Sequence, residues 1–142
     1  MAVGRLFAEV SIVCVSVYFA FRPTHAANTK SGTGAYVGGG DYNAATDLYT
    51  TVGGGGYNTA NNNDATVAGG WDNLAGADGA SVGGGQYNSA TGPRSTVAGG
   101  YKCTARALLS TVCGGTQNTI YADLCTVGGG GHNVAGIARF EN

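Results

Sequence analysis

Six rings fall at intervals close to fifteen residues, or twice that: Tyr42, Tyr57, Trp71, Tyr87, Tyr101 and His132. Aromatic side chains are enriched at contact surfaces, so such a stripe is a candidate platform for glycans or proteins. The competing use is structural, with rings packing over glycine-rich corners or against a neighbouring chain. A second column consists of hydroxyls: Thr51, Thr66, Ser81, Thr96, Thr111 and Thr126. Evenly spaced hydroxyls could engage an ordered partner, and β-propensity on a solvent face would produce the same column.

Reactive chemistry is poorly supplied. Asn61-Asn62-Asn63-Asp64 is rich in oxygen and could hold a hard cation, but reads better as a solvated loop. His132 has no Cys, His or carboxylate at zinc-ligand spacing. The Gly runs are not followed by Gly-Lys-Ser/Thr, so they do not cradle phosphate. Ser, Asp and His occur without the spacing of a hydrolase site. No catalytic, metal or cofactor residue is expected, and the chain is not expected to be an enzyme.

The elements that position these columns are set by a repeat. Val37, Val52, Val67, Val82, Val97, Val112 and Val127 stand fifteen residues apart without a break. Two and three residues after each valine comes Gly in every copy, from Gly39-Gly40 to Gly129-Gly130. Six residues after it comes Asn43, Asn58, Asn73, Asn88, Asn118 or Asn133, with Cys103 in the fifth copy. The unit reads [AST]-[ST]-V-G-G-G-x-x-N-x-A plus four variable residues. Two glycines per unit argue against a helix. The small-Thr-Val run suits a short strand with Val inward and Thr outward. A second strand then carries Asn and Ala on one face, and the variable residues make the wider turn. The predicted fold is all-β, a parallel β-solenoid of seven 15-residue coils over residues 35–136. At about 4.8 Å per coil it is a rod of roughly 34 Å.

The Asn column is expected to form a ladder of amides, bonding between side chains and to turn backbone. The Gly columns have two candidate roles: sharp corners, or close approach of another backbone.

Net charge is −1 with the basic residues scattered, which excludes an electrostatic case for nucleic acid or an anionic membrane. Gly makes up 27 of 142 residues, a composition of disordered chains that the unbroken register argues against. Residues 1–27 read as a secretory signal peptide: Arg5, an apolar run from Val10 to Phe21, then Thr24-His25-Ala26. A membrane anchor is the alternative, and would be the chain's one membrane contact. Both place the repeats outside the cytoplasm, extracellular or on the cell surface. Residues 28–34 are expected as a flexible lead-in and 137–142, with Ile137 and Phe140, as a C-terminal cap.

Three cysteines follow the leader, and no two share a column, so phase predicts no disulfide. Cys113 and Cys125 are expected as small buried residues. Cys103, replacing the ladder Asn, could join chains as an unpaired thiol. Each coil offers one Val and about two Ala, a thin core that predicts lateral association into a homo-oligomer.

The unit Ser/Thr-Val-Gly-Gly-Gly-x-x-Asn-x-Ala resembles the head repeats of YadA-like trimeric autotransporter adhesins. Its best matches are Ser81-Val82-Gly83-Gly84-Gly85 and Thr126-Val127-Gly128-Gly129-Gly130, and the likeness covers residues 35–136. It extends to the head alone, not to the coiled-coil stalk or membrane anchor of that family. Here the repeat is fifteen residues rather than the commoner fourteen, and Gly stands at the family's Ile position. The resemblance implies a left-handed β-roll, three chains side by side, valines lining the side that faces the trimer axis, and outer faces that bind host or matrix molecules. The expected function is therefore a secreted or surface-exposed structural or adhesive module binding proteins or glycans. One alternative is an ice-binding β-solenoid using the Thr/Ser column, although such proteins usually present two outward Thr per coil. Another is a viral or extracellular fibre component.

Overall fold

The computed structural model describes residues 27–136, so residues 1–26 of the expected signal peptide and the expected C-terminal cap lie outside the described residues. The chain is an all-β solenoid of about seven turns, fifteen residues each, with two parallel sheets and no helix among the described residues. Every coil gives one two-residue strand to each sheet. The first sheet stacks β1 (Thr29–Lys30), β3 (Ala44–Ala45), β5 (Thr59–Ala60), β7 (Leu74–Ala75), β9 (Ser89–Ala90), β11 (Thr104–Ala105), β13 (Thr119–Ile120) and β15 (Val134–Ala135). The second stacks β2 (Tyr36–Val37), β4 (Thr51–Val52), β6 (Thr66–Val67), β8 (Ser81–Val82), β10 (Thr96–Val97), β12 (Thr111–Val112) and β14 (Thr126–Val127). Each strand pairs with its equivalent one coil away, as Thr96 with Thr111 and Val97 with Val112. A third row of single bridges, Asp41, Gly56, Trp71, Gln86, Tyr101, Thr116 and Gly131, runs along one corner.

Alternation along the second sheet sends Val inward and the hydroxyl outward. Val52, Val67, Val82, Val97 and Val112 are fully buried. The small residue two before each valine also points inward, and where it is Thr50 or Ser110 its hydroxyl donates to the turn carbonyl of Asp47 or Ala107, at 2.8 and 2.7 Å. From the first sheet come Ala45, Ala60, Ala75, Ala90, Ala105 and Ile120, all buried. The valines are thus spent on the chain's own interior.

Asn43, Asn58, Asn73, Asn88 and Asn118 are buried and fully engaged. The Asn58 amide donates to Gly54 O of its own coil and Gly70 O of the next, both at 2.9 Å. Its Oδ1 accepts the backbone N–H of Asn73 at 3.1 Å. Side chain to side chain bonds are confined to Asn73 with Asn58 and Asn133 with Asn118. The ladder therefore ties the Gly corner to the core more than it ties amide to amide.

The corners use positive φ heavily. Gly40, Gly55, Gly70, Gly85, Gly100, Gly115 and Gly130 have φ between 78° and 101°. At Gly55 an added Cβ would also collide with the Gly70 carbonyl oxygen. Both roles proposed for this Gly column are thus real, and the close backbone is the chain's own next coil. Two further corner columns are left-handed, the first without glycine and the second with glycine only at Gly34 and Gly79. Tyr42, Tyr57, Asp72, Tyr87, Lys102, Gln117 and His132 form one; Tyr49, Asp64, Arg94, Leu109 and Leu124 form the other, all with φ between 53° and 59°. Here the ladder direction reverses: Tyr57 N–H donates back to Asp41 O at 2.9 Å and Asp64 N–H to Leu48 O at 3.0 Å. The second column lies at the third position of a β-turn closed by bonds such as Ser95 N–H to Gly92 O, 3.0 Å, with Pro93 at the second position it favours.

The solenoid starts before the first valine. In the segment expected as a lead-in, β1 pairs with β3 in the common register, and Asn28 Oδ1 accepts Asn43 N–H at 2.8 Å.

Candidate interaction surfaces

The aromatic stripe follows the Gly-rich corner, and the fold divides it. Trp71 and Tyr101 stand in the row of single bridges; Tyr42, Tyr57, Tyr87 and His132 stand one residue later, on left-handed backbone. Tyr42 and Tyr57 stack with centroids 4.7 Å apart and planes 17° apart. Trp71 follows, tilted 56° at 4.9 Å. Tyr87 and Tyr101 form a separate edge-to-face pair at 5.8 Å. His132 is set apart by a coil that carries Thr116 and Gln117 at these places. All six are exposed.

This geometry decides what the stripe presents. Tyr42 and Tyr57 each turn one face onto the other, so the pair offers the outer face of Tyr42, ring edges and phenol hydroxyls. Trp71 and the Tyr87–Tyr101 pair break the stack. Lys102, not anticipated from the sequence, brings its ammonium 5.1 Å from the Tyr101 ring and 5.9 Å from Tyr87. Its position in the same corner column as the tyrosines was the signal that could have found it.

The hydroxyl column lies in one register on the outer face of the second sheet. Among the described residues, none of the Thr51, Thr66, Ser81, Thr96, Thr111 or Thr126 hydroxyls bonds to the protein. Beside it run Gly53, Ala68, Gly83, Ala98, Cys113 and Gly128, all exposed, so this face is low and nearly flat. The first sheet carries a second, interrupted hydroxyl row, Thr59, Ser89, Thr104 and Thr119, broken by Leu74. The sequence reading missed it because the column itself is mixed, with Ala44, Leu74 and Val134 among the hydroxyls.

The corner opposite the aromatics was also missed. Leu48, Tyr49, Leu108, Leu109 and Leu124 are exposed there, in phases read from sequence only as a variable turn. Tyr121 lies near by in sequence, with the Arg106 guanidinium 5.4 Å from its ring.

The three cysteines are free. Cys103 is fully buried in the Asn column, its Sγ 3.5 Å from Gly115 O, so it is not placed to join chains. Cys113 is exposed, against the expectation of burial, because alternation turns outward every residue that follows the inward valine. Cys125 is half-buried.

Asn61 to Asp64 form a turn in which Asn62 Oδ1 accepts Asn63 N–H at 3.1 Å and Asp64 is left-handed. No three His, Cys, Asp or Glu side chains among the described residues converge as metal ligands. No described helix is long and apolar enough to cross a membrane. Compared with protein-family models and with curated proteins, the chain matches none.

Proposed function

We propose that this chain is an extracellular β-solenoid module, structural or adhesive, that binds proteins or glycans through its outer faces and assembles side by side, three chains being the favoured number. One observation carries the reading. Tyr42, Tyr57 and Tyr87 stay exposed on left-handed backbone. That conformation costs a non-glycine residue roughly 1–2 kcal/mol, which Gly or Asn largely avoids. The fold would be served better by smaller residues there, so the rings are kept for what they contact. The strand pattern Ser81-Val82-Gly83 supports kinship with YadA-like heads, and the low outer face of the second sheet suits a neighbouring chain.

The test pairs two measurements on the protein from a secreting host. Sedimentation equilibrium should give a trimer that persists at low micromolar concentration. Glycan and matrix-protein arrays should give binding that Tyr57→Asn and Trp71→Ala together abolish. A stable monomer that binds neither array would sink the proposal.

Ice binding is the second reading, favoured by the row of hydroxyls without protein partners. It predicts thermal hysteresis that falls when Thr96→Lys roughens the face and survives Tyr57→Asn. Ordinary freezing would remove it.

A further inference from the structure

The two ends of the eight-stranded sheet are complementary to each other. A parallel sheet has a direction, and here the N–H groups on either side of each strand's bridge centre donate to the strand that follows. Thr119 N–H donates to Asn133 O at 2.8 Å and Tyr121 N–H to Ala135 O at 2.9 Å. At the other end Thr29 N–H donates to Asn43 O at 2.7 Å and Ser31 N–H to Ala45 O at 3.1 Å. The last strand, β15, therefore presents the N–H groups of Val134 and Gly136, which have no acceptor among the described residues. The first, β1, presents the carbonyls of Asn28 and Lys30, which have no donor among them. The Asn ladder ends in the same way. Asn28 N–H would accept no change of geometry to donate to Asn133 Oδ1, since Asn43 N–H donates to Asn28 Oδ1 in that manner at 2.8 Å.

Phase matches as well. Thr29 and Lys30 occupy the same columns as Val134 and Ala135. A second copy placed on β15 through its β1 would continue the common register, a head-to-tail contact of the kind that does not close on itself.

One residue opposes this. Lys30 is in register with Ala45, so it faces the column of Ala45, Ala60, Ala75, Ala90, Ala105 and Ile120. Docking would enclose its ammonium between Ala45 and Ala135 of the next chain, in a column without a carboxylate. An inward charge on an end strand is a recognised guard against edge pairing.

We propose that β15 and β1 are complementary docking edges for a second copy of this chain, and that Lys30 holds the joining back. The contact runs along the rod axis and is separate from lateral assembly through the outer faces.

The test uses sedimentation velocity and negative-stain microscopy on the protein from a secreting host. Lys30→Ala installs the residue of its own column, so the coil keeps its fold, which circular dichroism checks. It should shift the mass to whole-number multiples of the wild-type species, with rods that lengthen at constant width. Lys30→Arg, keeping the charge, should stay at the wild-type mass. Val134→Pro removes a donor that has no intrachain acceptor among the described residues, and in the Lys30→Ala background it should restore the wild-type mass. The proposal is overturned if Lys30→Ala stays at wild-type mass, as it would if the chain's own terminal segments covered these edges. It is equally overturned if Lys30→Arg elongates, if the double variant still elongates, or if growth is in width.

Discussion

The backbone N–H of Asn58 donates to Oδ1 of Asn43 at 3.0 Å, and the bond recurs one coil on for Asn73, Asn88 and Cys103. It fails once. Asn118 N–H should meet the side chain of residue 103, and there stands the thiol of Cys103, with no oxygen to accept it.

Restoring the column should therefore stabilise the rod. Cys103→Asn supplies an acceptor for Asn118 N–H and an amide in reach of Gly115 O, which Sγ already approaches at 3.5 Å. The expected gain is about 1–2 kcal/mol, read as a higher urea midpoint. Asn73→Ala does the reverse: it strips Gly69 O, Gly85 O and Asn88 N–H of a partner and should cost about 2–4 kcal/mol. An unchanged midpoint for both variants would mean the ladder is not what binds coil to coil.

Gly55 and Gly99, one from each invariant Gly column, should respond differently to a methyl group. Gly55→Ala meets φ 88° and the Gly70 carbonyl together, and should cost at least about 3 kcal/mol. At Gly99 nothing lies within 4 Å of the added Cβ and φ is not positive. Gly99→Ala should leave the unfolding midpoint unchanged or raise stability by up to about 1 kcal/mol. If it instead lowers the assembled mass with the monomer's stability intact, that column sits against a neighbouring chain.

Leu124 is 75% exposed at φ 59°, so the fold gains little from its side chain and bears the left-handed cost. Leu124→Gly should raise stability by about 1 kcal/mol, while Leu124→Val, with a branched Cβ, should lower it by a similar amount. Thermal midpoints of the pair check the sign. If Leu124→Gly is the less stable variant, the leucine packs on something that the single chain does not show.

What was legible in the sequence follows from which columns are uniform. Seven valines in strict register specify coil length, strand position and facing, and the buried Asn column follows from its place two residues before the inward Ala. The left-handed corners were not legible because Tyr57, Arg94, Lys102 and Leu109 are not residue types that signal positive φ. There the interlocked ladders override local preference. The β1 strand was hidden for a related reason. Lys30 occupies an alanine column and Asn28 precedes the first registered valine, so the unit is recognisable there only through its amide. Cys113 was misplaced because size was weighed over alternation. The aromatic stripe was legible as a set of residues, but its division into a stack, a tilted ring and an edge-to-face pair depends on side-chain angles that spacing does not encode.

In a solenoid each coil leans only on its neighbours, so opening is expected to begin at the ends. Ser81 N–H donates to Ser95 O at 2.9 Å with three or more coils on either side. Its amide should exchange with deuterium near the slowest rate in the chain. Val134 and Gly136, without acceptors among the described residues, should exchange at close to the rate of an open peptide. The gradient between them measures coupling from coil to coil, and Asn73→Ala should cut it locally, raising exchange in Thr59 and Leu74 more than in Thr111. In Lys30→Ala, end-to-end joining would put Val134 and Gly136 into ladder bonds. Their protection should then rise with protein concentration while that of Ser81 stays constant. Lateral association predicts the opposite pattern, with protection gained evenly along the rod and none specific to the last strand.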